Sequence, residues 1–312
     1  MRRGIGGFPS AAEFLNSGRS YYFNSFRSSL RALLISARIK KISIPVYYCH
    51  EVTEFIKDTG VDVKFYNIDE SFLPLNPDFS DGRVLLYPNY FGVNGVNVVS
   101  LLDTYNPNRI VIDGAQALVS KYDCLANINS YRKFLPVVDG SLLITPLRIE
   151  ASPPSNSCLA DAEHLLNENR NAAYEQFKAH EVRFSVVGDD NGISVASLIG
   201  VGCTDFGSIA ASRFRHYTLY ESVFQRFNKI RLGITDGMIP LCYPLMLDSA
   251  PKREQLINAG IYVPNYWAMH SALNYTPFEK ALASEAIFLP LDQTLSSEDI
   301  SGTISTVTEF LE

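Results

Sequence analysis

Short apolar runs alternate with longer amphipathic stretches along this chain. Phe26, Leu30, Leu33 and Leu34 recur at helical spacing among Arg27, Arg31 and Arg38, which predicts a helix over 21–38. A short buried strand broken by Pro45 is predicted over 42–48, then a helix over 50–59 ended by Gly60. Strands follow over 61–68 and 84–87, the second leading into the loop Asn89-Tyr-Phe-Gly92. A helix over 96–105 and strands over 110–113 and 141–144 continue the alternation.

Beyond the irregular stretch Ser152-Pro-Pro-Ser-Asn-Ser, a polar amphipathic helix is predicted over 160–179. Phe214, Tyr217, Tyr220, Val223, Phe224 and Phe227 mark the apolar face of a long helix. A strand over 239–247, a helix over 251–259, an extended piece over 261–267, a strand over 287–291 and a helix over 298–311 complete the reading. Strands alternating with helices predict an α/β fold with a mostly parallel sheet and helices on both faces. The division expected is a large domain over 1–208, then a linking helix and a small C-terminal α/β domain over 209–312.

Composition narrows the function classes. Apolar residues make up 46% of the 312 and charged residues 19%, ordinary globular values, and the net charge of −6 offers no basic surface for nucleic acid. Cys49, Cys124, Cys158, Cys203 and Cys242 are scattered and form no C-x-x-C pair, so neither a zinc site nor a disulfide framework is expected. The five histidines show no ligand spacing, and no metal is expected. Gly188-Asp-Asp-Asn-Gly192 lacks the distal glutamate of a calcium loop and reads as a turn. Neither a signal peptide nor a run of about 18 apolar residues is seen, so the expectation is a cytoplasmic protein without a membrane partner.

In parallel sheets ligands collect at the C-terminal strand ends. Tyr48, Asn89 and Asp113 lie at or just past such ends. Asp113 closes the apolar run Ile110-Val-Ile, where an unpaired buried carboxylate would be costly unless it faced a cleft or a donor. Gln116 follows three residues later, and Ser130-Tyr-Arg-Lys133 adds a hydroxyl and an amine before the strand-like run Phe134-Leu-Pro-Val-Val. A carboxylate, an amide, a small hydroxyl and an amine are together what pyridoxal phosphate (PLP) can use. The amine forms a Schiff base, the carboxylate holds the pyridine nitrogen protonated, and the hydroxyl meets phosphate. Tyr48 offers a ring for stacking. S-x-x-K is also a penicillin-binding-protein motif, but the S-D-N and K-T-G triplets that accompany it are missing.

Several segments together resemble one family. Gly6-Gly-Phe with Glu13, Asn24-Ser-Phe-Arg-Ser-Ser-Leu30, Ile44-Pro-Val-Tyr-Tyr48-Cys and Ile112-Asp113-Gly-Ala-Gln116-Ala come in order. Ser130-Tyr-Arg-Lys133 with Asp139-Gly140, Gly260-Ile-Tyr-Val-Pro-Asn-Tyr-Trp267 and Leu289-Pro-Leu-Asp-Gln follow. The set is similar to the DegT/StrS-type aminotransferases of PLP fold type I, across nearly the whole chain. The resemblance implies a seven-stranded-type sheet and Lys133 as the Schiff-base lysine. It implies Asp113 for the pyridine nitrogen, Gln116 for the ring oxygen, Ser130 for the phosphate and Tyr48 for stacking. Arg27 and Ser28, in the segment matching the family's phosphate turn, and Asn89, in the loop after a strand, are further expected cofactor contacts.

The activity implied is transfer of an amino group from an amino-acid donor to a keto acceptor, a nucleotide-linked keto sugar in this family, by a homodimer with a shared active site. The second expectation is a non-catalytic homologue that binds a ligand or a partner. It is motivated by Phe26 where the family has a glycine, by Arg27 where it has a threonine, and by a short middle section. A further departure is Asn265, where a histidine or similar residue is more usual.

Overall fold

The computed structural model describes residues 19–118, 120–155, 192–234, 237–249 and 251–310, together with residues 172, 175 and 176. The Gly6–Glu13 segment, most of the helix expected over 160–179 and residues 188–191 of the presumed turn lie outside them.

Seven strands form the main sheet: β1 (Ser20–Phe23), β2 (Lys41–Pro45), β3 (Asp62–Tyr66), β4 (Val84–Pro88), β5 (Ile110–Gly114), β6 (Ala126–Ser130) and β7 (Ser141–Ile144). Their order is β1-β7-β6-β5-β4-β2-β3. Strands β2 to β6 pair in parallel, while β7 runs antiparallel to both β6 and β1. Every residue of β4 and β5 is buried, as expected for central strands covered on both faces. A two-stranded antiparallel sheet, β8 (Cys242–Leu245) with β9 (Ile287–Pro290), accounts for the expected strands over 239–247 and 287–291.

The helices are α1 (Phe26–Ser36), α2 (His50–Asp58), α3 (Gly95–Thr104), α4 (Val195–Gly202), α5 (Phe206–Phe224), α6 (Arg253–Asn258), α7 (Pro277–Glu285) and α8 (Ser297–Glu309). The helix expected over 21–38 begins later, because Tyr21, Tyr22 and Phe23 pair with β7 and Ser25 caps α1 through the Ser28 N–H. At the other end of the chain, α7 opens with a capping box of Thr276 and Glu279. Glu279, wholly buried, also accepts from the Ile68 N–H and Asn67 Nδ2 and so ties α7 to the end of β3. Strands β1 and β6 and helices α4 and α7 were not expected from the pattern.

Strand β6 reads Ala-Asn-Ile-Asn-Ser, too polar to signal a buried strand. Its asparagines are nonetheless satisfied. Asn129 exchanges hydrogen bonds with both backbone groups of Ser120, and Asn127 does the same with Tyr122. The apolar run after Lys133 forms turns rather than the strand its composition suggested. It packs as a satellite core, with Phe134, Leu135 and Val137 against Val201 and Ile209.

Candidate active site

The C-terminal ends of β2, β4, β5 and β6 deliver Tyr48–Cys49, Asn89, Asp113–Gln116 and Ser130–Lys133 to one side of the sheet. There they meet the first turn of α1 and Trp267 around a cavity of about 320 Å³. Arg27, Asn89, Asp113, Gln116, Ser130 and Lys133 all line it. Two expected contacts do not. Ser28 is buried, donating to Asn24 Oδ1 at 2.6 Å and sitting 2.9 Å from the Ser25 hydroxyl, and Ser25 takes the lining position. Tyr48 does not offer its ring to the cavity as the stacking role requires. It is buried, and its hydroxyl donates to Asp113 Oδ2 at 2.5 Å.

Asp113 ends an apolar strand without being stranded. Its Oδ1 accepts from the Ala115 N–H at 2.7 Å and its Oδ2 from Tyr48. Burial still pushes its carboxyl above the ordinary range, against the pull of those two donors and the Lys133 charge. Close packing around this strand end depends on Gly114, where a Cβ would lie 2.7 Å from Asn129 Oδ1.

Gln116 is held by one end only. Its Oε1 accepts from the Phe91 N–H at 2.9 Å, which fixes the amide's orientation, and its buried Nε2 has no hydrogen-bond partner. A buried donor left unmet at the wall of a cavity is an invitation to an acceptor. Gly92 lets this wall close: it has φ +76°, and a Cβ there would lie 2.4 Å from the Gln116 carbonyl oxygen. Asn89, by contrast, is bound up in the fold. Its N–H reaches the Asp113 carbonyl, its Oδ1 accepts from the Asn94 N–H, and its Nδ2 lies 3.3 Å from the Tyr122 hydroxyl.

Another part of the lining is cationic. Arg27 and Arg132 are near enough that the Arg27 charge joins burial in lowering the Arg132 guanidinium to about 10, with Asp139 opposing. Both line the cavity beside the N-terminus of α1, an arrangement suited to an anion. Phe26 stands at the first helical position without the left-handed backbone that a glycine would supply. Lys133, on a 3₁₀ turn over Tyr131–Lys133 directly after β6, has an exposed side chain at the cavity edge.

Arg132, Ser25, Cys49 and Trp267 were not expected in the site. Trp267 is the one tryptophan of the chain and packs against Tyr47, Tyr48, Tyr90 and Tyr266, a clue that lay in the Tyr266-Trp267 pair but carried no role. The Cys49 thiol donates to Glu51, and burial together with that carboxylate pushes it up to about 12, so it stays a thiol. Asn265 lies on a separate surface cleft. Among the described residues no group of histidine, cysteine and carboxylate side chains could hold a metal, and no single helix is long and apolar enough to cross a membrane.

No family model matches the chain, and no curated protein matches it by sequence. Solved structures do match its fold. An aminotransferase of the DegT/DnrJ/EryC1/StrS group from Brucella abortus is 15% identical, with a TM-score of 0.60 over 96% of this chain and 87% of that one. PseC of Helicobacter pylori, an aminotransferase involved in the biosynthesis of pseudoaminic acid, is 14% identical, with a TM-score of 0.64 over 96% and 88%. Spr1654 of Streptococcus pneumoniae, solved in its PLP form, is 16% identical, with a TM-score of 0.62 over 96% and 88%. The chain therefore has the fold of these aminotransferases, a mixed α/β architecture with a seven-stranded central sheet.

Proposed function

We propose that this protein is a PLP-dependent aminotransferase. The observation that carries the reading is the single cavity joining Lys133, the buried Asp113 and the unpartnered N–H of Gln116. The donor set fits PLP group by group. Arg27, Arg132, Ser25, Ser130 and the N-terminus of α1 would receive the phosphate. Asp113 would hold the proton on the pyridine nitrogen, and Gln116 Nε2 would donate to the ring oxygen. Lys133 would attach the cofactor covalently.

Bound PLP supplies an aldehyde for amines and an electron-withdrawing ring. The protein's own part is positioning and proton transfer. With the cofactor bound, Lys133 would be the general base and acid that removes and returns a proton. Asp113, fixed by Tyr48 and the Ala115 N–H, would keep its carboxylate against the pyridine nitrogen. Trp267, Val52 and Ala115 give the cavity apolar walls that limit water.

For the finer assignment we propose an amino-acid donor and a keto-sugar acceptor, supported by the shared fold with PseC, and a homodimer whose second subunit covers the exposed edge at Lys133. We place the protein in the cytoplasm, which suits its four described cysteines, all free.

Borohydride treatment of the PLP-loaded protein, followed by peptide mass spectrometry, tests the assignment. A pyridoxyl group on Lys133 is expected, with an absorption band near 420 nm that Lys133→Ala abolishes. Attachment elsewhere, or none, overturns it. A protein that carries the label but never passes an amino group to any keto acceptor overturns the catalytic half and leaves a binding protein.

A further inference from the structure

We infer that Arg213 and Gln293 are positioning residues for Lys133, acting through the Phe134 carbonyl. Arg213, on α5, is 2% exposed. Its Nε donates to Gln293 Oε1 at 2.9 Å, and Gln293 Nε2 donates onward to the carbonyl oxygen of Phe134 at 2.7 Å. Phe134 is the residue directly after Lys133. The guanidinium carbon also sits 4.9 Å from the centre of the Phe134 ring. One arginine thus grips both the ring and, by way of Gln293, the backbone of the residue that ends the lysine turn.

The same guanidinium reaches the other catalytic wall. It donates to the carbonyls of Pro240 and Leu241, at 3.0 and 3.1 Å. Pro240 forms an isolated bridge with Ala117, and the Leu118 N–H donates to the Ile239 carbonyl. Ala117 directly follows Gln116. The arginine therefore stitches the segment beside the Gln116 amide to the turn that carries the Lys133 amine, two segments far apart in sequence.

Among the described residues the carboxylate paired with this charge is Asp292, at 3.8 Å and half-exposed. Keeping a guanidinium this deeply buried is expensive unless its hydrogen bonds are made, and an apolar side chain would fill the same space at lower cost. The fork supplies what an apolar residue cannot, a fixed distance between two loops. Small displacements of a reacting group are costly to rate, so a clamp at the residue next to Lys133 acts on the chemistry without touching it. This inference rests on the cofactor reading for its consequence, though not for its geometry.

Two substitutions at Gln293 separate positioning from bulk structure. Gln293→Glu keeps the acceptor for Arg213 but loses the donor to Phe134, and Gln293→Leu loses both. In the full-length protein without cofactor, hydrogen exchange at the Phe134 and Leu135 amides should quicken in both variants by roughly tenfold, with exchange in β4 and β5 unchanged. In the PLP-loaded protein the pH midpoint of the visible band should move by about half a unit in both.

Unchanged exchange and an unmoved midpoint in both variants would overturn the inference. So would a Glu variant that behaves like the wild type beside a disturbed Leu variant, since the Phe134 contact would then be idle. Arg213→Lys, which keeps the charge but not the fork, should loosen the same amides; should it fail to fold, the Gln293 pair still decides. If no pyridoxyl group forms on Lys133 at all, the cofactor reading fails, while the exchange measurement still judges the clamp.

Discussion

Tyr48 donates its hydroxyl to Asp113 across 2.5 Å, beneath the floor of the candidate site. The phenol is held well above its ordinary range, first by burial and then by the Asp113 charge, so it remains a donor at every working pH. It counters, without overcoming, the burial that raises the Asp113 carboxyl. Tyr48→Phe keeps the packed ring and removes only this donor. Hydrogen bonds to charged groups contribute about 1.5–3 kcal/mol, so cofactor affinity should fall by roughly ten- to a hundredfold. An absorbance titration with PLP reads the effect directly, and an unchanged affinity would show that the carboxylate does not need the phenol.

Asp113 should cost the protein stability when no cofactor is bound. Its folded-state pKa is raised above the ordinary 3.8, so the unfolded chain gives up the proton first as pH rises. The penalty is absent below the unfolded value and complete above the folded one. Asp113→Asn should therefore raise the melting temperature of the cofactor-free protein at pH 7. The gain should shrink to nothing as pH falls below about 3.8. A variant that melts lower at pH 7 would mean that Tyr48, Ala115 and Lys133 outweigh burial, contrary to this account.

How much of this was legible beforehand varied with the kind of signal. Asp113 stood out because a carboxylate closing Ile110-Val-Ile must be either a cap or turn acid or a group facing a cleft, and Lys133 because a serine and an amine follow one strand later. The central strands were visible as apolar runs. Strand β6 was not, because Asn127 and Asn129 earn their burial from backbone partners at 120–122 that no periodicity announces. Which serine faces the cavity also escaped, since Ser25 and Ser28 differ only by where α1 begins, and that start is set by β1 pairing with a distant strand. Tyr48 was legible as an aromatic at a strand end. Whether its ring or its hydroxyl does the work depends on a carboxylate 65 positions away. Arg132 carried no role in the pattern and lies on the cavity wall.

Gln116 offers a test that uses pH as a switch. Gln116→Glu keeps an oxygen for the Phe91 N–H but replaces the unpartnered donor by a second acceptor. Above the carboxylate range this puts an acceptor against the ring oxygen expected there, and PLP affinity should drop by about tenfold or more. Burial raises the pKa of such a carboxyl, and its protonated form regains an O–H donor. Affinity in the variant should therefore recover as pH falls, while the wild type shows no matching gain. Equal affinities at neutral pH would mean that the amide N–H meets nothing on the cofactor.

The cationic wall should read the phosphate and nothing else of the cofactor. Arg27 and Arg132 line the cavity beside the first turn of α1, and the chain as a whole carries a net charge of −6, so this is a local positive site on an acidic protein. The discriminating comparison is PLP against pyridoxal, which has the same ring and aldehyde without the phosphate. Wild-type protein should bind PLP far more tightly than pyridoxal. Arg27→Met should weaken PLP by roughly ten- to a hundredfold, the span expected for a charge-assisted hydrogen bond, and leave pyridoxal nearly unaffected. Raised salt should erode the wild-type preference more than that of the variant, because part of the attraction is screened. If Arg27→Met weakened both ligands equally, the arginine would be supporting α1 and the cavity wall rather than an anion, and the phosphate would have to be sought at Ser25, Ser130, Arg132 and the α1 N-terminus.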